Sequence, residues 1–188
     1  MSDRGRRPWL GWEPHEVPSL TELAPNEVAQ LIEEVVAAEG PVTVQQVFDV
    51  LRALSGASRL GAAIRGSLEA GMTAGIRKGL FLVATEELSS QHPYQGAYGS
   101  DVLRLPSQPP VILRHPGDRS SWGIPPREIV ELAQNVLRLE PGLSRDELKR
   151  RLSKALGWSQ YTRPFDELLE AVLPATITAG PPDGSQPA

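Results

Sequence analysis

Moved along itself by 101 positions, the sequence lays residues 25–72 on residues 126–173 without a gap. Pro25 meets Pro126, Glu27 meets Glu128, Leu31 meets Leu132 and Val35 meets Val136. Further on, Leu51 falls on Leu152, Gly56 on Gly157, Ser58 on Ser159 and Leu68 on Leu169. Other apolar positions pair by type: Val28 with Ile129, Val42 with Leu143, Val47 with Leu148, Ile64 with Phe165. Self-similarity at a fixed offset marks one folding unit made twice. The 188 residues therefore serve two small cores better than one large one.

The first copy reads as three helices and a hairpin. Pro25 suits a first helical turn and Glu27 lies near the positive end of the helix dipole. Val28, Leu31, Ile32 and Val35 then recur at helical spacing. Glu39-Gly40-Pro41 ends that helix, Val42 is a short extended position, and Thr43 caps the next helix. Val47, Phe48, Val50, Leu51 and Leu54 point inward along it, and Gly56 stops it. A third helix is expected from Leu60 or Gly61 through Ile64, Leu68 and Met72 toward Ile76. Three helices with a tight turn between the second and third form a helix-turn-helix.

LFLVATEEL and SDVLRL, either side of a Gly-containing polar loop, read as a β-hairpin, with Leu80–Val83 expected to pair with Val102–Leu105. Three helices closed by a hairpin make a winged helix. The loop at 89–99 is long for a hairpin, a length that goes with function or disorder. In the second copy Ile129, Leu132, Ala133 and Val136 form the first stripe. Ser144 caps a helix carrying Leu148, Leu152 and Ala155, and Phe165, Leu168, Leu169 and Val172 mark the third. Only ATITAG is left for its wing. The expected fold class is mainly α with a small β-hairpin wing (α+β), built from tandem winged-helix units. The expected parts are an extended arm (1–24), a first winged-helix unit (25–106), a Pro-rich packed connector (107–125), a second winged-helix-like unit with a short or absent wing (126–180) and a disordered tail (181–188). Trp9 and Trp12 would pin the arm to the body, while Arg4, Arg6 and Arg7 either touch phosphate or stay solvated.

Composition removes several classes of function. Without cysteine there are no disulfides, thiolate zinc sites or cysteine nucleophiles. The N-terminal stretch lacks the apolar segment of a secretory signal, and no run approaches the ~20 apolar residues of a membrane span. A cytoplasmic protein is expected. His15, His92 and His115 lie in separate loops, without the close spacing of helix-borne metal ligands. Pro164-Phe165-Asp166 and Glu147-Leu148-Lys149 resemble fragments of a metal-dependent nuclease, but the Glu-x-Lys segment precedes the aspartate and sits on a helix. No nucleophile elbow, P-loop or dinucleotide fingerprint is present. The sequence thus points to no enzyme, cofactor, metal or small-molecule substrate.

Four stretches, taken in order, resemble a known family. They are EVVAAEGPVTVQQVFDVLRAL, SGASRLGAAI, SDVLRLP running into VILRHPGD, and IPPREIVELAQNVLRLEPGLSRDELKRRLSKALGW. They are similar to the paired winged-helix-type domain of unknown function near the C-terminus of large bacterial proteins related to superfamily-one DNA helicases and nucleases. Glu39-Gly40-Pro41, Arg59 and Gly61, and the Ile-Pro-Pro-x-Glu start at Ile124 carry the signature. Ala63 departs from it, standing where that family favours arginine. The resemblance implies a non-catalytic role beside a helicase or nuclease.

A net charge of −4 makes any contact with nucleic acid a matter of local patches. In a helix-turn-helix the N-terminal residues of the last helix reach the bases. In the first copy Arg59 and Arg65 stand there among small residues, and Arg77 and Lys78 lie at the base of the wing. Tyr94 and Tyr98 in the wing loop could stack on bases, whereas Glu86 and Glu87 would repel a backbone. In the second copy Asp166 and Glu167 place negative charge at the third helix, offset in part by Arg163. Its second helix is basic, with Arg145, Lys149, Arg150, Arg151 and Lys154. Arg150 and Lys154 there fall opposite the Leu148/Leu152 stripe and must be exposed. The candidate nucleic-acid-binding set is Arg59, Arg65, Arg77, Lys78, Lys149, Arg150, Lys154 and Arg163. DNA is one expected partner, and a helicase or nuclease subunit is the other. The alternative function is an adaptor that docks on a larger protein without touching nucleic acid. The plainer readings are a surface ion pair for Arg59 and a solvated helix face for the basic helix of the second copy.

Overall fold

The computed structural model describes residues 11–13, 17–85, 101–115, 117, 123–157 and 163–173, the side chains of 163 and 164 excepted. Among the described residues there are six α-helices and a small three-stranded antiparallel sheet. In chain order they are α1 (Pro25–Glu39), β1 (Val42–Thr43), α2 (Val44–Leu54), α3 (Ala62–Lys78), β2 (Leu82–Thr85), β3 (Asp101–Arg104), α4 (Pro126–Leu139), α5 (Arg145–Ala155) and α6 (Arg163–Val172). The helix starts repeat at the offset of the sequence: Pro25 and Pro126, Val44 and Arg145, Ala62 and Arg163.

Local chemistry sets these boundaries. The Thr43 hydroxyl accepts from the Gln46 N–H at 3.2 Å and caps α2. Ser144 caps α5 in the same way, and Glu147 reaches back to the Ser144 N–H at 2.9 Å to complete a capping box. The Glu147 carboxyl is held below its ordinary range, first by the Ser144 hydroxyl and then by its N–H. Gly79, in the left-handed region at φ 69°, closes α3 with its N–H on the Ile76 carbonyl and the Leu80 N–H on that of Gly75.

The expected segments do pair, but that closure delays the start of the hairpin's first strand. Leu82 pairs with Arg104 and Val83 with Leu103, so the strand begins two residues later than Leu80. Phe81 goes into the core, where its ring lies against Gly75. Burying a phenylalanine contributes about 2 kcal/mol, against roughly 1 kcal/mol for an added ladder hydrogen bond. The core contact wins. The sheet also gains a strand that the sequence showed only as a short extended position: β1 pairs with β3, Val42 with Leu103 and Thr43 with Val102, giving the order β1-β3-β2.

Two clusters of buried side chains form the cores. The first takes Val28, Ile32 and Val35 from α1, Val47, Phe48 and Leu51 from α2, Leu68 from α3, then Phe81 and Leu103. Val17 and Leu20, ahead of α1, are also buried in it, and Trp12 packs against it half-buried; Trp9 lies outside the described residues. The second joins Ile129, Leu132 and Val136 of α4, Leu148 and Leu152 of α5, and Phe165, Leu169 and Val172 of α6.

Helices α1 and α3 touch at backbone distance because Gly71 faces Val28. A Cβ built on Gly71 would lie 2.7 Å from Val28 Cβ and 3.2 Å from the Ala29 nitrogen. Val28 is fully buried and β-branched, so it has no free rotamer to yield. Gly71→Ala is expected to cost about 1–3 kcal/mol, as overpacking does. Urea denaturation would show it as a lower midpoint at unchanged slope.

Candidate nucleic-acid interface

The turn between α2 and α3 is held from within. Arg52 donates to the Ala57 carbonyl at 2.7 Å and lies 3.6 Å from Asp49 on its own helix. The Ser55 hydroxyl donates to the Arg52 carbonyl, and Gly56 takes a positive φ of 73°. Arg52 is therefore committed to shaping the turn. Arg59, beyond it, is exposed.

Helix α3 begins after Gly61 with no side-chain cap and no acidic residue in its first turn. Its first N–H groups are left without an intrahelical partner, and its dipole presents positive charge there. Arg65 is half-buried one turn in, and Arg77 and Lys78 are exposed at the far end. At a rise of 1.5 Å per residue, Arg65 and Arg77 are about 18 Å apart along the axis. Between them the surface is small and uncharged at Gly66, Ser67, Ala70 and Thr73, with the half-buried Glu69 as the one acid of the helix. Both hydroxyls are turned back on the helix, Ser67 donating to the Ala63 carbonyl at 3.2 Å and Thr73 to the Glu69 carbonyl at 2.9 Å.

The second half treats its cations differently. Lys149 is only 5% exposed and donates to Asp166 at 2.6 Å, with Glu170 as a second partner. It fastens α5 to α6 and is turned away from solvent. Its charge makes Lys149 a candidate phosphate contact in the sequence; its side chain instead lies along the helix–helix seam. Arg145 forms a forked pair with Glu170, Nε to Oε1 at 3.1 Å and Nη2 to Oε2 at 2.6 Å. Arg151 pairs with Glu140 at 2.7 Å. Arg150 and Lys154 are exposed. The Arg163 side chain, the expected wing-loop residues Glu86, Glu87, Tyr94 and Tyr98, and His15 and His92 lie outside the described residues.

The Glu170 carboxyl is held below its ordinary range, chiefly by the bond from Arg145 and then by that from Lys149, with burial opposing. Among the described residues no three His, Asp or Glu side chains gather as a metal site would require. No helix there is long and apolar enough to cross a membrane.

Sequence reasoning missed the buried polar residues. Glu39, Arg114 and Glu128 are each less than a tenth exposed. The only signal for them was the Glu-Gly-Pro run and the acidic residue after Ile-Pro-Pro, both read as helix punctuation.

A protein-family model described as "Protein of unknown function (DUF3320)" matches residues 20–66, which run from Leu20 through α1 and α2 into the first turn of α3. Neither the curated proteins nor the solved structures give a match.

Proposed function

We propose that this chain is a non-catalytic tandem winged-helix module that binds DNA beside a helicase- or nuclease-type system. The order helix, strand, helix, helix, strand, strand with the sheet order β1-β3-β2 supports a winged-helix reading of the first half. The observation that carries the DNA reading is the contrast between α3 and its counterpart α6. Helix α3 opens without acid or cap, flanked by Arg59 and Arg65 and followed by Arg77 and Lys78. Helix α6 places Asp166 in its first turn and bonds it back to Lys149. One copy keeps its last helix available to phosphate, and the other uses it internally. Arg150 and Lys154 offer exposed positive charge on the second half, while Lys149 takes no part.

Binding of this kind falls linearly in log affinity with log salt, by about 0.9 for each phosphate neutralised on duplex DNA. The paired variant Arg59→Ala/Arg65→Ala is expected to weaken duplex binding and lower that slope by about 2. If Arg59 and Arg65 meet phosphate, the loss should be equal across unrelated sequences. Fluorescence anisotropy at several salt concentrations measures both quantities. An affinity indifferent to salt, or unchanged in the paired variant, rejects the reading.

A second reading has an observation of its own. Ile76 is 44% exposed, and Leu82 and Val83 at the adjoining sheet edge are 39% and 37% exposed. Exposed apolar side chains at a sheet edge fit a protein partner, as the adaptor alternative requires. A complex through that surface survives high salt and is lost in Leu82→Ser/Val83→Ser.

A further inference from the structure

We infer that the Glu39–Pro41 turn and Arg114 form a joint that fixes the second helical core onto the first, so that the chain moves as one body. The connector between β3 and α4 meets both halves through consecutive residues. Leu113 packs against the second core. Arg114 turns to the first half, where Nη1 donates to the carbonyls of Glu39 at 2.9 Å and Pro41 at 3.1 Å, and Nη2 donates to that of Gly40. The N–H of the same Arg114 donates to Oε1 of Glu128, in the first turn of α4, at 3.0 Å. One residue thus binds the end of α1 through its side chain and the start of α4 through its backbone.

The chemistry of the turn makes this more than a passing contact. The last carbonyls of a helix have no partner within it and carry the negative end of its dipole. A planar guanidinium with several fixed donors answers both needs at once, which an ammonium does not. Arg114 is 7% exposed, Glu39 3% and Glu128 3%. Charged groups withdrawn from water this far are held by their bonds, and losing those bonds while the groups stay buried costs free energy. Neighbouring contacts lock the same region. Gln108 donates to the Val36 carbonyl at 3.0 Å and accepts from the Leu105 N–H at 2.8 Å. The Trp12 N–H donates to Oε1 of Glu39 at 3.0 Å, and Gly123 lies against the side chain of Gln46. At Gly40 a Cβ would come within 2.5 Å of both Gln108 Oε1 and the Val36 carbonyl oxygen. Only glycine leaves room for the connector to close.

Residual dipolar couplings of the weakly aligned full chain test the joint directly. Couplings from α1–α3 and from α4–α6 are expected to fit a single alignment tensor in the wild type. Arg114→Met, which keeps the bulk and removes the donors, should split them into two tensors of different magnitude while amide shifts at Ile32 and Leu152 stay in place. Glu128→Ala, which leaves the Arg114 carbonyl bonds intact and removes only the α4 side of the joint, should do the same. Two tensors in the wild type overturn the inference, and so does a single tensor retained in both variants.

Discussion

Removing both Asp166 and Glu170 is expected to destabilise the chain by about 3 kcal/mol, whereas Lys149→Met should change stability little. The reason is where the charge sits. The Lys149 ammonium is buried, with Asp166 and Glu170 as its carboxylate partners across the α5–α6 seam. Asp166→Ala/Glu170→Ala takes both away and leaves the ammonium in a low-dielectric seam. Breaking a buried pair from one side costs about 3–5 kcal/mol. The lower end applies because the carboxylates are 39% and 46% exposed and water partly screens them. Lys149→Met removes the charge along with its desolvation cost and leaves two half-exposed acids that water can solvate. Urea midpoints of the two variants measure the asymmetry. The same seam has a pH signature. The Glu170 carboxyl titrates below its ordinary value of 4.5 in the folded chain. The unfolded chain therefore takes up the proton first as pH falls. The stabilisation is full above the ordinary carboxylate range and is lost as pH drops through the folded value. Glu170→Gln should flatten that part of the stability profile.

Much of this fold was legible because a hydrophobic stripe and a capping residue are local facts. Val28, Leu31, Ile32 and Val35 lie on one face whatever surrounds them, and Thr43 and Ser144 cap α2 and α5 where the pattern places them. The offset of 101 residues appears again in the helix starts. What escaped were choices made between distant residues. Whether Leu80 or Leu82 opens a strand depends on Phe81 reaching Gly75, and whether Val42 is a strand depends on Leu103, far along the chain. The candidate interface was legible to a similar degree. Helical spacing placed Arg150 and Lys154 outward, since it asks only which side is apolar. Residue type alone put Lys149 with the candidate cations of that helix, because it cannot show that Asp166 and Glu170 wait on the facing helix. Arg114 lay in a Pro-rich connector, where composition carries no information about a bond to carbonyls more than seventy residues earlier.

The largest single effect is expected at Phe48, and the duplication itself explains why. Under the 101-residue offset Phe48 corresponds to Lys149, Arg65 to Asp166 and Glu69 to Glu170. The two copies have solved one packing position in opposite ways, with an aromatic ring in a dry core and with an ammonium between carboxylates. Phe48 is fully buried among the residues of α1 and α2. Phe48→Ala removes that ring and leaves a cavity, at a cost of about 3–5 kcal/mol. Phe48→Lys should cost more, although lysine is what the second copy carries. Its ammonium would enter a site where Glu170 has a counterpart in Glu69 but the counterpart to Asp166 is a cation, Arg65. One carboxylate is thus replaced by like charge, and burial is compensated only in part. With total stability of small domains near 5–15 kcal/mol, the lysine variant is expected to leave the first core unfolded at 25 °C while α4–α6 keep their amide protection. Hydrogen exchange read by mass spectrometry separates the two halves. Protection retained across α1–α3 in Phe48→Lys would mean that the position is more tolerant than its burial implies, and that the two copies are interchangeable where their charges say they are not.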